Sequence, residues 1–251
     1  FARALIRVLC ADPALEVPSP TYTLIQTYDS PLAPLVHADL YRINDPEELD
    51  SLGWNETSGD AIILVEWADR IGSPLPPDRL DVALALGSTP DTRHVVLTAH
   101  GAFAARLAQA RAIHQVIETG GFAQAERAHL QGDASTRAYE RLTRAGDGRS
   151  AILMIAPRRP DGPPVRNGKP YSQIAKLAED VKPFVALANG LRGHGFSAPA
   201  IYASDLDAGL LLIEDLGSDG VLAEGVPVEE RYMEAAGVLA HLHALGLPHE
   251  L

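Results

Sequence analysis

Residues 18–28 read PSPTYTLIQTY, residues 35–43 read LVHADLYRI and residues 61–70 read AIILVEWADR. These three stretches decide the class of the first part of the chain. The prolines bound a β-rich run at Thr21–Tyr28, and LVHADLYRI is a second short strand candidate. AIILVEW (Ala61–Trp67) is a continuous apolar run of strand length, which predicts a strand buried on both faces. Asp39 and Glu66 then stand where strands end, and Thr21 opens the strand after PSP. Ligands of open α/β sheets gather at carboxyl ends of strands. A carboxylate there can hold Mg²⁺, directly or through water, beside a nucleotide. The same carboxylates also fit plain solvated strand-end charges.

Outward from this core, FARALIRVLC (Phe1–Cys10) has helical spacing, with Arg3 and Arg7 sharing one face. It carries no N-cap or acidic first turn. Cys10 reads as a small, buried residue. DPEELDSLGW predicts a helix opened by Asp45 and Pro46, with Trp54 as core or helix-end packing. Leu80–Leu86 and His94–Thr98 predict two neighbouring antiparallel strands. Phe103, Leu107, Ala110, Ile113 and Ile117 then repeat at helical intervals up to Gly120.

The whole chain has 251 residues, 46% hydrophobic and 22% charged, an ordinary globular composition. The length accommodates two domains. The formal net charge of −12 disfavours nonspecific binding to nucleic acid or to an anionic membrane. No apolar run reaches the roughly 18–20 residues of a membrane span. One cysteine excludes an internal disulfide and fits a reducing, cytoplasmic compartment. Residues 1–100 hold 6 basic and 15 acidic residues, against 15 and 18 in 101–251. All three lysines, Lys169, Lys176 and Lys182, lie in the second part. This shift places a domain boundary near residue 100.

PSPTYTL, HADLYRI followed by DPEEL, and VEWADR together resemble the TsaE family, in the family's order. TsaE is the small ATPase of the bacterial machinery that makes threonylcarbamoyladenosine in tRNA. The resemblance covers residues 1–100 and implies a P-loop NTPase-like α/β domain. It assigns Asp39 and Glu66 to Mg²⁺-ATP and to catalysis, Thr21 to a switch segment, and Trp67 to an aromatic beside the acidic residue. It also implies TsaB–TsaD as partners. A P-loop, G-x-x-x-x-G-K-[ST], needs glycines for backbone approach and a lysine on the phosphates. None occurs here. The family's helix after that loop resembles FARALIRVL, so the P-loop and its strand are expected immediately before Phe1. Without them, apolar residues such as Ile62–Val65 are expected to be exposed and this part to be marginally stable.

In the second part, QGDASTRAYERL (Gln131–Leu142) has a turn whose small residues Gly132, Ser135 and Thr136 suit phosphate oxygens. A plain hairpin turn uses the same residues. SAILMIAP and a proline-rich loop follow. Then come a helix from Lys182 to Gly193, a hairpin at Ile201–Ser204 and Leu210–Glu214, and a helix over Val228–Leu245. This order resembles the α+β N-lobe and the start of the C-lobe of the aminoglycoside phosphotransferase family. It lies closest to the anomeric N-acetylmuramate/N-acetylglucosamine kinases, over about 125–251.

That resemblance implies ATP, an amino-sugar substrate, and a hinge in which the Glu214 carbonyl and Leu216 N–H pair with adenine. The family's strand lysine is replaced by Met154, with Arg158, Arg159 or Arg137 as candidate substitutes. The catalytic loop, His-x-Asp followed by Asn, is absent from the second part and is expected beyond Leu251. His241 and His243 read as partly buried helix residues, because i and i+2 do not share a helix face. The combined expectation is a two-part ATPase and sugar phosphotransferase whose 251 residues turn over neither substrate. The competing expectations are a non-catalytic interaction module and half of an antibiotic kinase.

Overall fold

The computed structural model describes residues 1–43, 45, 48, 60–71, 75–131, 137–158, 162–175, 180–223 and 225–245. It divides into two compact units, Phe1–Arg79 and Leu80–Leu251. The structural division therefore falls about twenty residues before the compositional one.

In the first unit, helix α1 (Ala2–Leu9) packs one face of a three-stranded sheet of β1 (Ile25–Tyr28), β2 (Leu35–Asp39) and β3 (Ile62–Glu66). The order is β1-β2-β3. β1 runs antiparallel to β2, and β2 runs parallel to β3. Strand alternation sorts the side chains. Leu35, Ile62 and Leu64 pack with Ile6, Leu9 and Val17 on the α1 face. Ala38 and Val65 pack with Leu24, Leu40 and Ile43 on the other.

All five β2 residues are buried, so LVHAD is the strand covered on both faces. AIILVEW had been expected in that role. Its strand β3 lies at the edge of the sheet, and Ile63 is 38% exposed. A continuous apolar run cannot distinguish a central strand from an edge strand with one well-covered face. Thr21 is also displaced from expectation. It lies in a turn, and β1 begins only at Ile25, because Leu24 adopts a left-handed φ of +65° that breaks the extended run. The helix predicted from DPEELDSLGW and Trp54 fall mainly or wholly outside the described residues.

The second unit begins within β4 (Arg79–Leu86), which pairs with β5 (Arg93–His100), as the sequence predicts. Helix α2 (Ala102–Thr119) follows. The main sheet has five antiparallel strands: β6 (Glu126–Leu130), β7 (Ala138–Thr143), β8 (Ser150–Ile155), β11 (Ile201–Asp205) and β12 (Leu210–Glu214). Its order is β11-β12-β8-β7-β6. The intervening pieces are short: β9 (Pro164–Arg166), β10 (Lys169–Pro170) and α3 (Tyr171–Ala175).

Helix α4 (Lys182–Gly193) carries its proline in the first turn, where the missing N–H costs nothing. Leu210 and Leu212 of β12 face Val116, Ile117 and Phe122 at the end of α2. Leu211 and Ile213 face Val181, Phe184 and Val185 at the start of α4. A strand covered on both faces reads as an unbroken apolar run, which LLLI is. Each of its side chains contributes about 1.5–3 kcal/mol on burial.

Beyond β13 (Leu222–Ala223) and β14 (Val226–Pro227), helix α5 (Glu229–Ala244) has no buried residue. Tyr232 and Leu239 are 46% and 55% exposed. His241 and His243 are likewise exposed and not partly buried. His241 meets the Phe196 ring edge-on at 5.3 Å.

Candidate functional site

Parallel pairing places Asp39 opposite Glu66 at the carboxyl ends of β2 and β3. The period of two puts His37 on the same face as Asp39. Asp39 is 5% exposed. Its Oδ2 accepts a 2.7 Å hydrogen bond from the Thr21 hydroxyl, and its Oδ1 accepts one of 3.0 Å from the Tyr41 N–H. Ser19 and Thr21 hydroxyls are hydrogen-bonded at 2.8 Å, which extends the chain of polar groups into the PSPT turn. The Asp39 N–H donates to the Leu24 carbonyl at 3.0 Å. The left-handed bend at Leu24 is therefore tied to the carboxylate's own backbone.

The Glu66 side chain is 44% exposed, and His37 Nε2 lies 2.8 Å from its Oε1. The Glu66 carbonyl accepts the Leu40 N–H at 3.0 Å, so the two strand ends are laced together. Trp67 has a left-handed φ of +60°. Such a conformation costs a non-glycine residue roughly 1–2 kcal/mol. Strained backbone of this kind clusters at functional sites. The bend turns a half-exposed indole toward Tyr41, with ring centroids 5.2 Å apart.

A concavity opens beside Glu66, lined by Arg3, Arg7, Ser19, His37 and Glu66. The two arginines of α1 each donate Nε to a carbonyl of the following loop, Arg3 to Val17 and Arg7 to Leu15, both at 2.9 Å. They thereby clip down the segment that leads into Thr21.

Among the described residues, no three His, Cys, Asp or Glu side chains are grouped to hold a metal by protein alone. Two carboxylates with one hydroxyl is nevertheless a hard oxygen donor set. It suits Mg²⁺, which keeps several waters and binds through one or two carboxylates plus phosphate. The residues present therefore fit that ion. The structure brings Thr21, Asp39, Glu66 and Trp67 into one place. It adds His37 and Tyr41, which the sequence reading did not select, although His37 shares the strand face of Asp39.

The second candidate site is less complete. Gly132, Ser135 and Thr136 lie outside the described residues, as does Arg159. Met154 is buried among Val181, Leu211 and Ile213, an apolar packing position. Glu214 donates its N–H to the Ala200 carbonyl at 2.8 Å, and its Oε2 accepts the Ala200 N–H at 3.0 Å. Leu216 is 59% exposed.

Between them lies Asp215, which sequence reasoning passed over. Its side chain is buried, and Oδ2 accepts a 2.8 Å bond from Arg141 Nε. Its Oδ1 accepts the Gly217 N–H at 3.0 Å. Burial pushes this carboxyl up. Hydrogen bonds from the Gly217 N–H, Ser150 and Arg141 outweigh burial and hold it below the usual carboxylate range.

Residues 1–95 match the family model "Threonylcarbamoyl adenosine biosynthesis protein TsaE". TsaE of Bacillus subtilis is 40% identical over 86 residues, covering 34% of this chain and 52% of that protein. TsaE of Rickettsia bellii is 37% identical over 86 residues, covering 34% and 59%. The N-acetylmuramate/N-acetylglucosamine kinase of Caulobacter vibrioides is 38% identical over 142 residues, covering 53% of this chain and 39% of the kinase. The crystal structure of Bacillus subtilis YdiB is 27% identical and covers 42% of this chain and 63% of that one, with a TM-score of 0.31. The chain thus spans between 39% and 59% of the lengths of these three curated relatives. Residues 1–95 match the TsaE family, and a C-terminal region is similar to an N-acetylmuramate/N-acetylglucosamine kinase.

Proposed function

We propose that the first unit binds Mg²⁺-ATP at the strand ends, in the manner of a P-loop NTPase-like domain that drives tRNA threonylcarbamoyladenosine synthesis. Asp39 and Glu66 would hold the ion, and Thr21 would act as the switch hydroxyl. Bound there, Mg²⁺ would neutralise phosphate charge. The chain's own residues do the positioning. Thr21 and the Tyr41 N–H fix the Asp39 carboxylate, and Trp67 offers a half-exposed aromatic surface next to Glu66 in the chain. The single observation that carries this reading is the register pairing of Asp39 with Glu66, with Thr21 bonded to Asp39 at 2.7 Å. A TsaB–TsaD complex is the proposed partner of this unit, and the cytoplasm its compartment. No described helix is long and apolar enough to cross a membrane.

We further propose that the second unit is the nucleotide-binding lobe of a phosphotransferase acting on an amino sugar of the N-acetylmuramate or N-acetylglucosamine type. The sequence similarity to the Caulobacter kinase supports it. So does the succession of three strands, a helix and a hairpin under one antiparallel sheet. Adenine would pair with the Glu214 carbonyl and the Leu216 N–H. G-x-x-x-x-G-K-[ST] does not occur within residues 1–251, and His-x-Asp-x₄-Asn does not occur within residues 101–251. The proposal for these residues is therefore nucleotide binding without turnover.

The test is energy transfer from Trp67 to a fluorescent N-methylanthraniloyl-ADP in the full chain, with Trp54→Phe as background. A Mg²⁺-dependent signal that disappears in Asp39→Asn and Glu66→Gln is the expected result. A signal indifferent to both substitutions overturns the first-unit assignment. For the second unit, Leu216→Pro deletes the N–H donor. It should abolish the ATP-induced NMR shifts of residues 214–217 and leave the Trp67 signal intact. Shifts that survive the proline exclude the hinge assignment.

A further inference from the structure

His37 is the feature that the metal reading leaves unused. It occupies the middle of β2, the strand covered on both faces, and is 2% exposed. Its neighbours Leu35, Val36 and Ala38 are apolar and equally buried. A residue there for packing alone would be apolar too, because a buried imidazole nitrogen without a partner costs free energy. Among the described residues, His37 Nδ1 has no hydrogen-bond partner. The ring therefore makes one polar contact, Nε2 to Glu66 Oε1 at 2.8 Å.

That contact has a direction. An ionised carboxylate only accepts, so a neutral ring must carry its proton on Nε2 and leave Nδ1 as a bare acceptor. The partner is a long side chain at the edge of the sheet, 44% exposed. Left alone, it would sample several rotamers, and ordering it on binding an ion would cost entropy. The imidazole is rigid and locked in the core, so it can hold Oε1 fixed. Among the described residues, no protein group bonds Oε2.

We propose that His37 is a positioning residue: a buried imidazole that pins Glu66 in the rotamer needed to share a divalent cation with Asp39. This rests on the Mg²⁺ reading of the site, and the experiment separates the two. MnCl₂ alone, followed by electron paramagnetic resonance, is titrated into the full chain and into the His37→Leu, His37→Gln and Asp39→Asn variants. His37→Leu is expected to weaken Mn²⁺ binding about tenfold, the usual scale for groups that orient metal ligands. Its melting temperature should be unchanged or higher. His37→Gln, whose amide nitrogen stands near the Nε2 position, should bind within about threefold of wild type if only the donor matters.

Asp39→Asn reports on the site itself. If it abolishes Mn²⁺ binding and His37→Leu binds as wild type does, the positioning role is wrong and the metal site stands. If the wild type binds no Mn²⁺, or Asp39→Asn leaves binding unmoved, the metal reading fails and the positioning role with it. Nitrogen-15 NMR of the His37 ring gives a readout independent of metal. The proposal requires the Nε2–H tautomer in the wild type, lost or mixed in Glu66→Ala. An Nδ1–H ring in the wild type overturns it.

Discussion

Single residues with unusual backbone mark where this chain is held under constraint. Leu24, Trp67 and Ala11 all have positive φ values. The first two flank the candidate metal site. Leu24 packs in the core and Trp67 meets Tyr41, so both gain contacts that offset the strain. Ala11 gains nothing comparable. It closes α1 in a Schellman motif, its N–H bonding the Val8 carbonyl at 3.1 Å and the Asp12 N–H bonding the Arg7 carbonyl at 3.0 Å. Its methyl group is exposed, and its φ is +53°. Glycine carries no penalty in that conformation. Ala11→Gly is therefore expected to stabilise the first unit by about 1 kcal/mol in urea denaturation. No gain, or a loss, would mean that the unfolded chain's added freedom outweighs the relieved strain.

Among the elements, the β11–β12 hairpin is the most tightly specified. Gly209 has a φ of +69°, and a Cβ there would lie 2.3 Å from the Ala156 carbonyl oxygen and 2.7 Å from Pro157 Cα. Both obstacles are backbone and cannot rotate away. The close approach exists because the Gly209 carbonyl accepts the Ala156 N–H at 2.8 Å, which continues the β8–β12 ladder past its end. Gly209→Ala combines a left-handed penalty with a backbone clash. It should cost the second unit roughly 2–4 kcal/mol, read as a lower urea midpoint with an unchanged slope. A midpoint within error of the wild type would show that the turn can relax without breaking the ladder. Sequence reading located this hairpin from DLDAG between two apolar runs. It could not foresee the Ala156 contact, which comes from a strand about fifty residues earlier.

At the scale of the whole molecule, the net charge of −12 makes acid stability depend on how carboxylates are paired. Two in the second unit are held down. Hydrogen bonding from Arg144 lowers Asp147 to about 2. The Gly217 N–H, Ser150 and Arg141 lower Asp215 against the upward pull of burial. A carboxyl with a folded pKa below its unfolded value binds fewer protons in the native state. Its stabilisation is present above the unfolded value of 3.8 and is lost as pH falls from there toward the folded value. The wild type should lose stability as the pH drops from about 4 to about 2, and the Asp147→Asn/Asp215→Asn double variant should lose less over the same window. Equal losses in the two proteins would assign the acid response to other carboxylates.

The sequence by itself determined the elements and the first candidate site. Sequence pattern placed α2, α4 and the β11–β12 hairpin, because a covered helix face or strand leaves its period in the residues. Strand-end carboxylates after apolar runs located Asp39 and Glu66, since the motif residues lie close in the chain to the strands that carry them. Tertiary structure alone decided which strand is central, because burial on both faces depends on neighbours, and β2 has them while β3 stands at the edge. It alone joined Asp215 to Arg141, 74 residues away. It alone turned His37 from one buried strand residue into the partner of Glu66. Such pairings arise from register and packing between segments, and no local pattern in either segment encodes them.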